Sequence, residues 1–409
     1  MRMEMIAFEK KLVKFCEEHL DILVVGAITL LSIMIRSGLR NLSNMDVEQC
    51  LLPWYNDIRD NGGFRALGQQ VGTYNILYQT VIAILTYIPA DPVYAYKFSS
   101  AIFDYLLAVT VGMLVYRYSD GDRKWKGIFA YAAVVLSPLV ILNSAAWAQC
   151  DSVYAYFAML ALVMLCKEKY VPACIFLGVS LAFKLQAVFI LPLFLFVWFW
   201  RRRFTIFCFL VIPVTMCVVN LPGVIMGRSF LDVFTIYLDQ TDEYPVMVQN
   251  YPSVWLFLTE NYYPDLYWHL KRASVLLTVA VLLLLMTVLL LKKVEWNPRN
   301  LIYIAFLVSY ICVLFLPAMH ERYGFLHEIL AIIILIWMKR TIVLLVPMYC
   351  LTTMTYASFL FGKDTRASLT MTLVNLAVFL AYLVLIVREM DGGQGKAGCL
   401  TGDAGQEPV

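Results

Sequence analysis

The chain has 409 residues, of which 61% are hydrophobic and 15% are charged, and its formal net charge is +3. An ordinary soluble domain is about half apolar and about a quarter charged, so this composition excludes one, and the small net charge excludes the basic footprint of a nucleic-acid-binding protein. Apolar runs of about 18 or more residues recur, each long enough to cross a bilayer as a helix. We therefore predict an all-α polytopic membrane protein with about twelve transmembrane helices.

The amino-terminal segment, residues 1–21, lacks a signal-peptide pattern because charged side chains such as Lys10 and Glu17 interrupt every apolar run. We expect it to be a short amphipathic lead-in on the cytoplasmic membrane surface. Residues 22–390 are predicted to form a single transmembrane domain. The Gly-rich, polar stretch 391–409 is predicted to be a disordered cytoplasmic tail.

Apolar segments that are predicted to span the bilayer follow one another along the chain. They are 22–38, 94–116, 128–146, 152–166, 170–184, 187–200, 204–225, 273–291, 300–316, 324–338, 341–361 and 368–387. One further apolar stretch, 74–89, is short, rich in Tyr and ends at Pro89. We predict that it is a helix lying on or dipping into the outer face.

Basic residues decide the orientation, because cytoplasmic loops carry the excess of Lys and Arg. With the amino terminus inside and 74–89 not crossing, 20 of the 32 basic residues lie on the inner side, although the outer loops are longer. A crossing at 74–89 would instead place the three arginines at 201–203 outside. The predicted topology has two long outer segments, 39–93 and 226–272, and the first should carry amphipathic helices at the outer face.

The first outer segment carries Asp46 only a few residues after the first predicted span. A carboxylate at or just above membrane depth can be a functional acid. It can equally cap a helix or be a solvated loop residue. Spacing alone leaves these interpretations open.

A tight outer turn between two spans carries Trp147, Gln149 and Asp151. The tryptophan can anchor the interface, and the aspartate can cap the helix that follows. The three side chains can also hold a sugar, by stacking and by hydrogen bonds to its hydroxyl groups. Both interpretations stay open.

Two further outer turns bring polar side chains to membrane depth. Lys184 and Gln186 lie between apolar runs with scarcely any loop, where a lysine either extends to the interface or faces a phosphate. The segment 317–323 is denser in polar residues, and it contains His320, Glu321, Arg322 and Tyr323. Such residues are costly in a membrane unless they are paired or line a cavity. Arg322 is the best candidate for a phosphate-binding fork.

One charged residue lies inside a predicted span. Asp104 must face the bundle interior, but the sequence shows no partner for it. We predict a structural role for Asp104.

The motifs together resemble those of the polytopic C-type glycosyltransferases, and most of all the bacterial group similar to GPI mannosyltransferases. The resemblance covers roughly residues 20–390. It rests on Asp46 with the Pro53-Trp54 and Gly72-Thr73-Tyr74-Asn75 stretches, on the run Asn143-Ser144-Ala145-Ala146-Trp147-Ala148-Gln149-Cys150-Asp151-Ser152, on Lys184-Leu185-Gln186, and on Met319-His320-Glu321-Arg322-Tyr323. Four such motifs in this order, all on one predicted face, are fairly specific.

The resemblance implies transfer of one mannose- or hexose-like sugar from a polyprenyl-phosphate donor to a glycan or lipid-linked acceptor on the extracytoplasmic face of the cell membrane. Asp46 matches the position of the family's general base, and inversion at the anomeric carbon is expected. Arg322, Lys184 and His320 are the expected phosphate partners. Many relatives have a second acid or an aromatic residue beside the catalytic aspartate, whereas this chain has Met45 and Val47.

The expected partners are therefore the donor, the acceptor and the bilayer, without nucleic acid. We expect no cofactor and no requirement for a divalent metal, and the ten cysteines, which include no CxxC pair, predict no metal site. A transporter or flippase of lipid-linked sugars is the alternative function, although it favours polar residues near the midplane and internal repeats. A non-enzymatic scaffold is a third possibility.

Overall fold

The computed structural model describes residues 7–243, 245–258 and 264–400. The α-helices, labelled α1 to α18 in chain order, are Ala7–Glu18, Leu20–Gly38, Leu52–Asp60, Ile76–Leu85, Pro92–Tyr118, Arg123–Val135, Pro138–Ile141, Asp151–Cys166, Tyr170–Phe183, Leu191–Arg201, Val211–Val219, Leu221–Ile225, Asp232–Asp242, Pro264–Leu291, Pro298–Phe315, Phe325–Trp337, Ile342–Phe361 and Leu369–Leu400. Two short strands, β1 at Val248–Gln249 and β2 at Met319–His320, pair in parallel.

Short segments of other helical geometry connect these elements. Two are π-helical, Val47–Leu51 and Leu142–Ala146. The 3-10 segments are Gly63–Gly68, Leu185–Ile190, Ile206–Leu210, Val254–Leu258, Glu321–Gly324 and Lys339–Thr341. The all-α fold class predicted from the sequence is therefore the one that the structure has.

The number of membrane-spanning helices is only partly established. Every predicted span coincides with helix, but only six helices in the described part of the chain are long and apolar enough to cross a membrane. A seventh span results if α6 and the run Pro138–Ala146, which are bent by 43° to each other, are counted together. Helix α9, with 14 residues, is only about 21 Å long and shorter than the hydrocarbon core. About twelve spans thus stays a prediction.

The ambiguous stretch 74–89 forms the helix α4. Its 10 residues span about 15 Å, roughly half of what a crossing requires. Most of α4 is buried against the rest of the protein. Its length agrees with the prediction that this stretch does not cross.

The first and last helices, α1 and α18, overlap the segments predicted to be an amphipathic lead-in and a disordered tail. Helix α1 buries no residue and exposes the apolar side chains of Phe8, Leu12 and Phe15, as an amphipathic surface helix would. Helix α18 continues to Leu400 and so includes residues 391–400 of the predicted tail. The disordered tail stays a prediction. The rest of the predicted tail, 401–409, lies outside the described residues.

Helix α15 occupies the centre of the bundle, and its residues 300–314 are all buried. Elsewhere, helices approach closely where side chains are small. A Cβ atom on Gly112 of α5 would lie 3.0 Å from the carbonyl oxygen of Gly127 on α6, so these two glycines allow close packing of the helices. Helix α5 is therefore packed tightly against α6.

Ion pairs connect the segments predicted to lie on the inner side. The pairs are Lys124–Asp21, Arg203–Glu168, Arg299–Asp120 and Arg340–Glu389. Each joins two segments that the basic-residue bias assigns to the same side, which agrees with the predicted topology. The polar turns predicted to lie outside converge elsewhere, on one cavity.

Candidate active site

Asp46 lies at the centre of a convergent set of donors. Its Oδ2 atom accepts hydrogen bonds from Trp147 Nε1 at 2.8 Å, Gln149 Nε2 at 2.9 Å and Arg322 Nη1 at 3.1 Å. Its Oδ1 atom accepts no hydrogen bond from the described residues, and the side chain is 25% exposed. One carboxylate oxygen is therefore fixed, and the other is available to a ligand.

The backbone around Asp46 is tied to the turn that carries two of these donors. Asn44 donates from Nδ2 to the carbonyl oxygens of Ala146 and Trp147, at 3.2 and 3.3 Å. Its Oδ1 atom accepts from the backbone N–H of Val47 at 3.2 Å. Asn44 thus joins the first outer segment to the turn, a role that the sequence analysis missed.

Both segments contain a π-helical turn next to the site. The segment Val47–Leu51 follows Asp46 directly, and Leu142–Ala146 directly precedes Trp147. Such turns are rare in proteins, and those that occur often lie at functional sites. One such turn adjoins each of the two segments that bring polar groups to this point.

The ring of Trp147 is covered by other side chains, whereas the sugar-binding interpretation expects an exposed ring. The side chain is fully buried, and its ring stacks on Phe359 with 4.4 Å between centroids and 16° between planes. The guanidinium carbon of Arg322 lies 5.3 Å from the ring centroid. Trp147 therefore contacts Asp46 and Arg322, and the burial of its ring argues against the predicted contact with substrate.

Asp151 is also held away from the cavity. Its Oδ1 atom accepts from Lys184 Nζ at 2.6 Å, and its Oδ2 atom accepts from Asn143 Nδ2 at 2.7 Å. The side chain is 1% exposed, so neither oxygen is free for a sugar or a proton. Asp151 contacts both cations of the site, since Arg322 Nε also lies 4.0 Å from its Oδ2 atom. Its burial argues against the predicted direct contact with substrate.

Lys184 is buried, so its ammonium does not extend to the membrane interface. Besides Asp151, it lies 3.4 Å from Gln149 Oε1 and 5.2 Å from the centroid of the Tyr74 ring. The amide of Gln149 therefore bridges the two charged centres, because its Nε2 atom donates to Asp46. Lys184 also lines the cavity described below, and the interpretation in which it faces a phosphate stays a prediction.

These groups open onto a cavity of about 410 Å³. Its wall combines the predicted outer turns with the second long outer segment and with the amino-terminal half of α14. The polar lining residues are Asp46, Cys50, Thr73, Tyr74, Gln149, Lys184, Gln186, Gln240, Thr241, Glu243, Tyr267, Lys271, His320, Arg322 and Tyr323. Of the predicted site residues, Trp147, Asp151 and Glu321 do not line it.

Two cations of the cavity wall lie near Asp46. Lys184 is buried, and Arg322 is 11% exposed. His320 also lines the wall, but burial, together with the charges of Arg322 and Lys184, lowers its pKa well below the ordinary value. His320 is therefore neutral near pH 7 and can offer a hydrogen bond but no positive charge, which corrects its predicted role as a cation. Burial raises the pKa of Glu321 to about 7.

Two aromatic wall residues were not assigned to the site from the sequence. Trp54 is partly exposed in the cavity, and its ring meets that of Tyr74 edge-on at 5.4 Å. The hydroxyl group of Tyr74 donates to Gln149 Oε1 at 3.2 Å. Both residues lie in stretches that resemble the family, and this was the sequence signal that could have identified them as wall residues. Trp54 is better placed than Trp147 to stack on a sugar.

Gly72 sets the position of Trp54. A Cβ atom at Gly72 would lie 2.3 Å from the indole ring, and the backbone has φ +66°. We expect Gly72→Ala to displace Trp54 and to lower turnover by about tenfold, while a strained φ destabilises the fold by about 1 kcal/mol. Gly121→Ala is the matched control, because it has φ +68° with nothing within 4 Å. Equal activity of the two purified variants would show that Trp54 placement does not matter.

Metal binding was not predicted. In the described ranges, no group of three or more His, Cys, Asp or Glu side chains is arranged to hold a metal ion. The Asp46 carboxylate already contacts a cation, Arg322. Independence from a divalent metal nevertheless stays a prediction.

Comparison with known proteins supplies the family. The family model described as glycosyltransferase family 87 matches residues 73–317, which is more than half of the chain. The matched range contains Gln149, Asp151 and Lys184, while Asp46 lies before it and Arg322 lies after it. No curated protein matches the chain. The chain therefore belongs to glycosyltransferase family 87, a family of polytopic C-type glycosyltransferases.

Proposed function

We propose that the chain transfers one mannose- or hexose-like sugar from a polyprenyl-phosphate donor to a glycan or lipid-linked acceptor on the extracytoplasmic face. One observation carries the proposal. A carboxylate with a single free oxygen lies in the same cavity as a buried lysine and an arginine that is 11% exposed. This combination matches the needs of the two reacting partners, an acceptor hydroxyl group and a departing phosphate.

Asp46 is the general base in this proposal. Oδ1 would accept the proton of the acceptor hydroxyl group as its oxygen attacks the anomeric carbon. A positioned base contributes about 10²–10⁴-fold to a rate. Asp151 cannot take this role, because both of its oxygens are committed to buried partners.

Arg322 and Lys184 would bind the phosphate of the donor. As the glycosidic bond breaks, negative charge grows on the leaving phosphate, and fixed cations in a dry site stabilise that charge more than water does. Phosphate departs without protonation, so the second carboxylate of a glycosidase is not required. The bidentate geometry of the guanidinium makes Arg322 the stronger of the two phosphate ligands.

A direct displacement is the step that this arrangement favours. The amide of Gln149 separates Asp46 from Lys184, since Nε2 donates to one and Oε1 accepts from the other. The base and a phosphate-binding cation therefore lie on different sides of one amide group. Arg322 reaches the base as well, because it donates to Asp46 and faces the cavity. Attack opposite the phosphate, with inversion at the anomeric carbon, is what the resemblance to the family implies.

An apolar second cavity supports a lipid-linked donor. Its volume is about 350 Å³, and it lies between α10 and α14. Helix α14 lines both cavities, with Lys271 and Val275 in the first and Val279 and Leu282 in the second. A polyprenyl chain could follow this helix from the phosphate into the apolar part of the bundle. The resemblance to GPI-mannosyltransferase-like proteins favours a mannose-like hexose.

The test is sugar transfer by the isolated protein. Purified protein in lipid nanodiscs is mixed with polyprenyl-phosphate mannose or polyprenyl-phosphate glucose and with candidate glycan or glycolipid acceptors. Transfer of the sugar from either donor supports the proposal. Movement of the intact lipid-linked sugar across a proteoliposome membrane, without any transfer, would instead support a flippase.

The extracytoplasmic location of the site predicts how two cysteines react. Cys50 lines the cavity and should react with a membrane-impermeant maleimide added outside, whereas Arg202→Cys should react only from inside. Burial raises the pKa of the Cys50 thiol, so less thiolate is present at neutral pH and labelling should accelerate as the pH rises. Labelling of position 202 from outside intact cells would reverse the topology and the proposed location of the site.

A further inference from the structure

Asp104, which the sequence left without a partner, forms a buried ion pair with Arg36. The Oδ2 atom of Asp104 lies 2.9 Å from Nη2 and 3.3 Å from Nε of Arg36. The two side chains are 0% and 8% exposed. Arg36 also donates to the carbonyl oxygen of Val135 at 3.0 Å and to Ser32 Oγ. A buried pair of this kind is costly in a membrane protein, so its further contacts are informative.

Asp104 holds both ends of the turn that supplies donors to Asp46. Ser144 Oγ donates to Oδ2 of Asp104 at 2.5 Å, and Ser152 Oγ donates to Oδ1. The residues between these serines include Trp147 and Gln149. One carboxylate therefore fixes the segment that contributes two of the three donors to the proposed base.

The same helix also holds the segment that leads to Asp46. Lys97 lies seven residues before Asp104 on α5, two turns earlier on the same face of the helix. Its Nζ atom donates to the carbonyl oxygens of Leu39, Arg40 and Leu42, at 3.1, 3.0 and 2.7 Å. These carbonyl groups lie just after the end of α2, a few residues before Asp46.

We propose that Asp104 and Lys97 are positioning residues, which use the rigid helix α5 to set the turn 144–152 and the segment 39–42 against each other at Asp46. Neither residue lines the cavity, so neither is proposed to touch substrate. A displacement of about 1 Å between catalytic groups can cost about 10²-fold in rate. The inference rests on the proposed function, because turnover is one of its two readouts.

The test removes the contacts between Asp104 and the turn while leaving its ion pair with Arg36 intact. The double variant Ser144→Ala with Ser152→Ala should lower kcat by about tenfold or more, with the donor KM changed less than about threefold, because positioning rather than binding is lost. Ser32→Ala is the matched control. Ser32 is a fully buried hydroxyl of the same network and contacts Arg36 and Tyr105 but not the turn. Its kcat should stay within about twofold of wild type.

Hydrogen exchange supplies a readout that does not depend on activity. Peptides covering 39–51 and 143–153 should exchange faster in the double variant than in Ser32→Ala, with both variants compared at matched thermal stability. Equal kcat and equal exchange in the double variant and Ser32→Ala would overturn the inference. Wild-type protein without transferase activity would count against the proposed function instead, and the exchange comparison would still decide the positioning role.

Discussion

Asp46→Asn should lower the turnover of sugar transfer by about 100-fold or more, equivalent to about 2.7 kcal/mol of activation free energy. Asparagine has nearly the same shape, so its side-chain oxygen can still accept from Trp147, Gln149 and Arg322. It cannot take a proton from the acceptor hydroxyl group at neutral pH. Donor binding and thermal stability should therefore change little, and the loss should appear in kcat rather than in KM. Steady-state kinetics with purified protein measures both constants.

Glu48→Gln is the control for this prediction. Glu48 is an exposed acid in the same outer segment and does not line the cavity. The neutralising change is chemically equivalent, but turnover should stay close to wild type. Near-normal turnover of Asp46→Asn would remove Asp46 from the role of base, and a large loss for Glu48→Gln would move that role to Glu48.

Arg322→Lys should lower kcat/KM by about 100-fold although the charge is kept. The guanidinium does three things at once: it donates to Asp46, covers the ring of Trp147 and faces the cavity. A lysine ammonium is a compact point charge and cannot make these contacts together. Part of the loss should appear as weaker binding of polyprenyl phosphate, which a direct binding titration with that lipid measures.

Arg299→Lys is the matched control for the arginine prediction. Arg299 also pairs with an aspartate, Asp120, at 2.6 Å, and lies over a tryptophan ring, that of Trp337, at 5.8 Å. Arg299 lies on the predicted inner side of the membrane, whereas the cavity lies on the predicted outer side. Its conversion to lysine should leave kcat/KM unchanged, and wild-type kinetics for Arg322→Lys would exclude a phosphate fork at position 322.

The sequence predicted the members of the site better than their roles. Asp46, Gln149, Lys184 and Arg322 are polar residues beside apolar spans on one predicted face, and a polar side chain in such a position is expensive without a function or a partner. Topology alone therefore grouped them. The structure adds which oxygen of Asp46 is free, and no spacing pattern contains that information.

The roles of buried residues could not be predicted because they depend on contacts between distant parts of the chain. Asp104 forms an ion pair with Arg36 of α2, and Trp147 stacks on Phe359 near the end of α17. A sequence shows that Asp104 must be satisfied but not by which residue. An aromatic ring in a polar turn is typical of a sugar-stacking residue, and only the structure shows that the ring of Trp147 is buried.

The number of membrane-spanning helices could not be predicted for a different physical reason. Hydropathy identifies apolar segments, but the length of each helix depends on where the backbone breaks. In 128–146 the chain bends at 136–137 before the π-helical turn, and in 204–225 Asn220 separates α11 from α12. Such breaks leave the apolar composition unchanged. A hydropathy average over the sequence therefore counts one span where the structure has two shorter helices.

The anomeric configuration of the product tests the central claim most directly. Purified protein is given a polyprenyl-phosphate hexose of known anomeric configuration, and the linkage formed to the acceptor is determined by nuclear magnetic resonance. Direct attack by an acceptor activated by Asp46 predicts a product of the opposite configuration, and the same product, formed far more slowly, from Asp46→Asn. A product that retains the donor's configuration, or no transfer from any polyprenyl-phosphate sugar, would contradict the proposed mechanism.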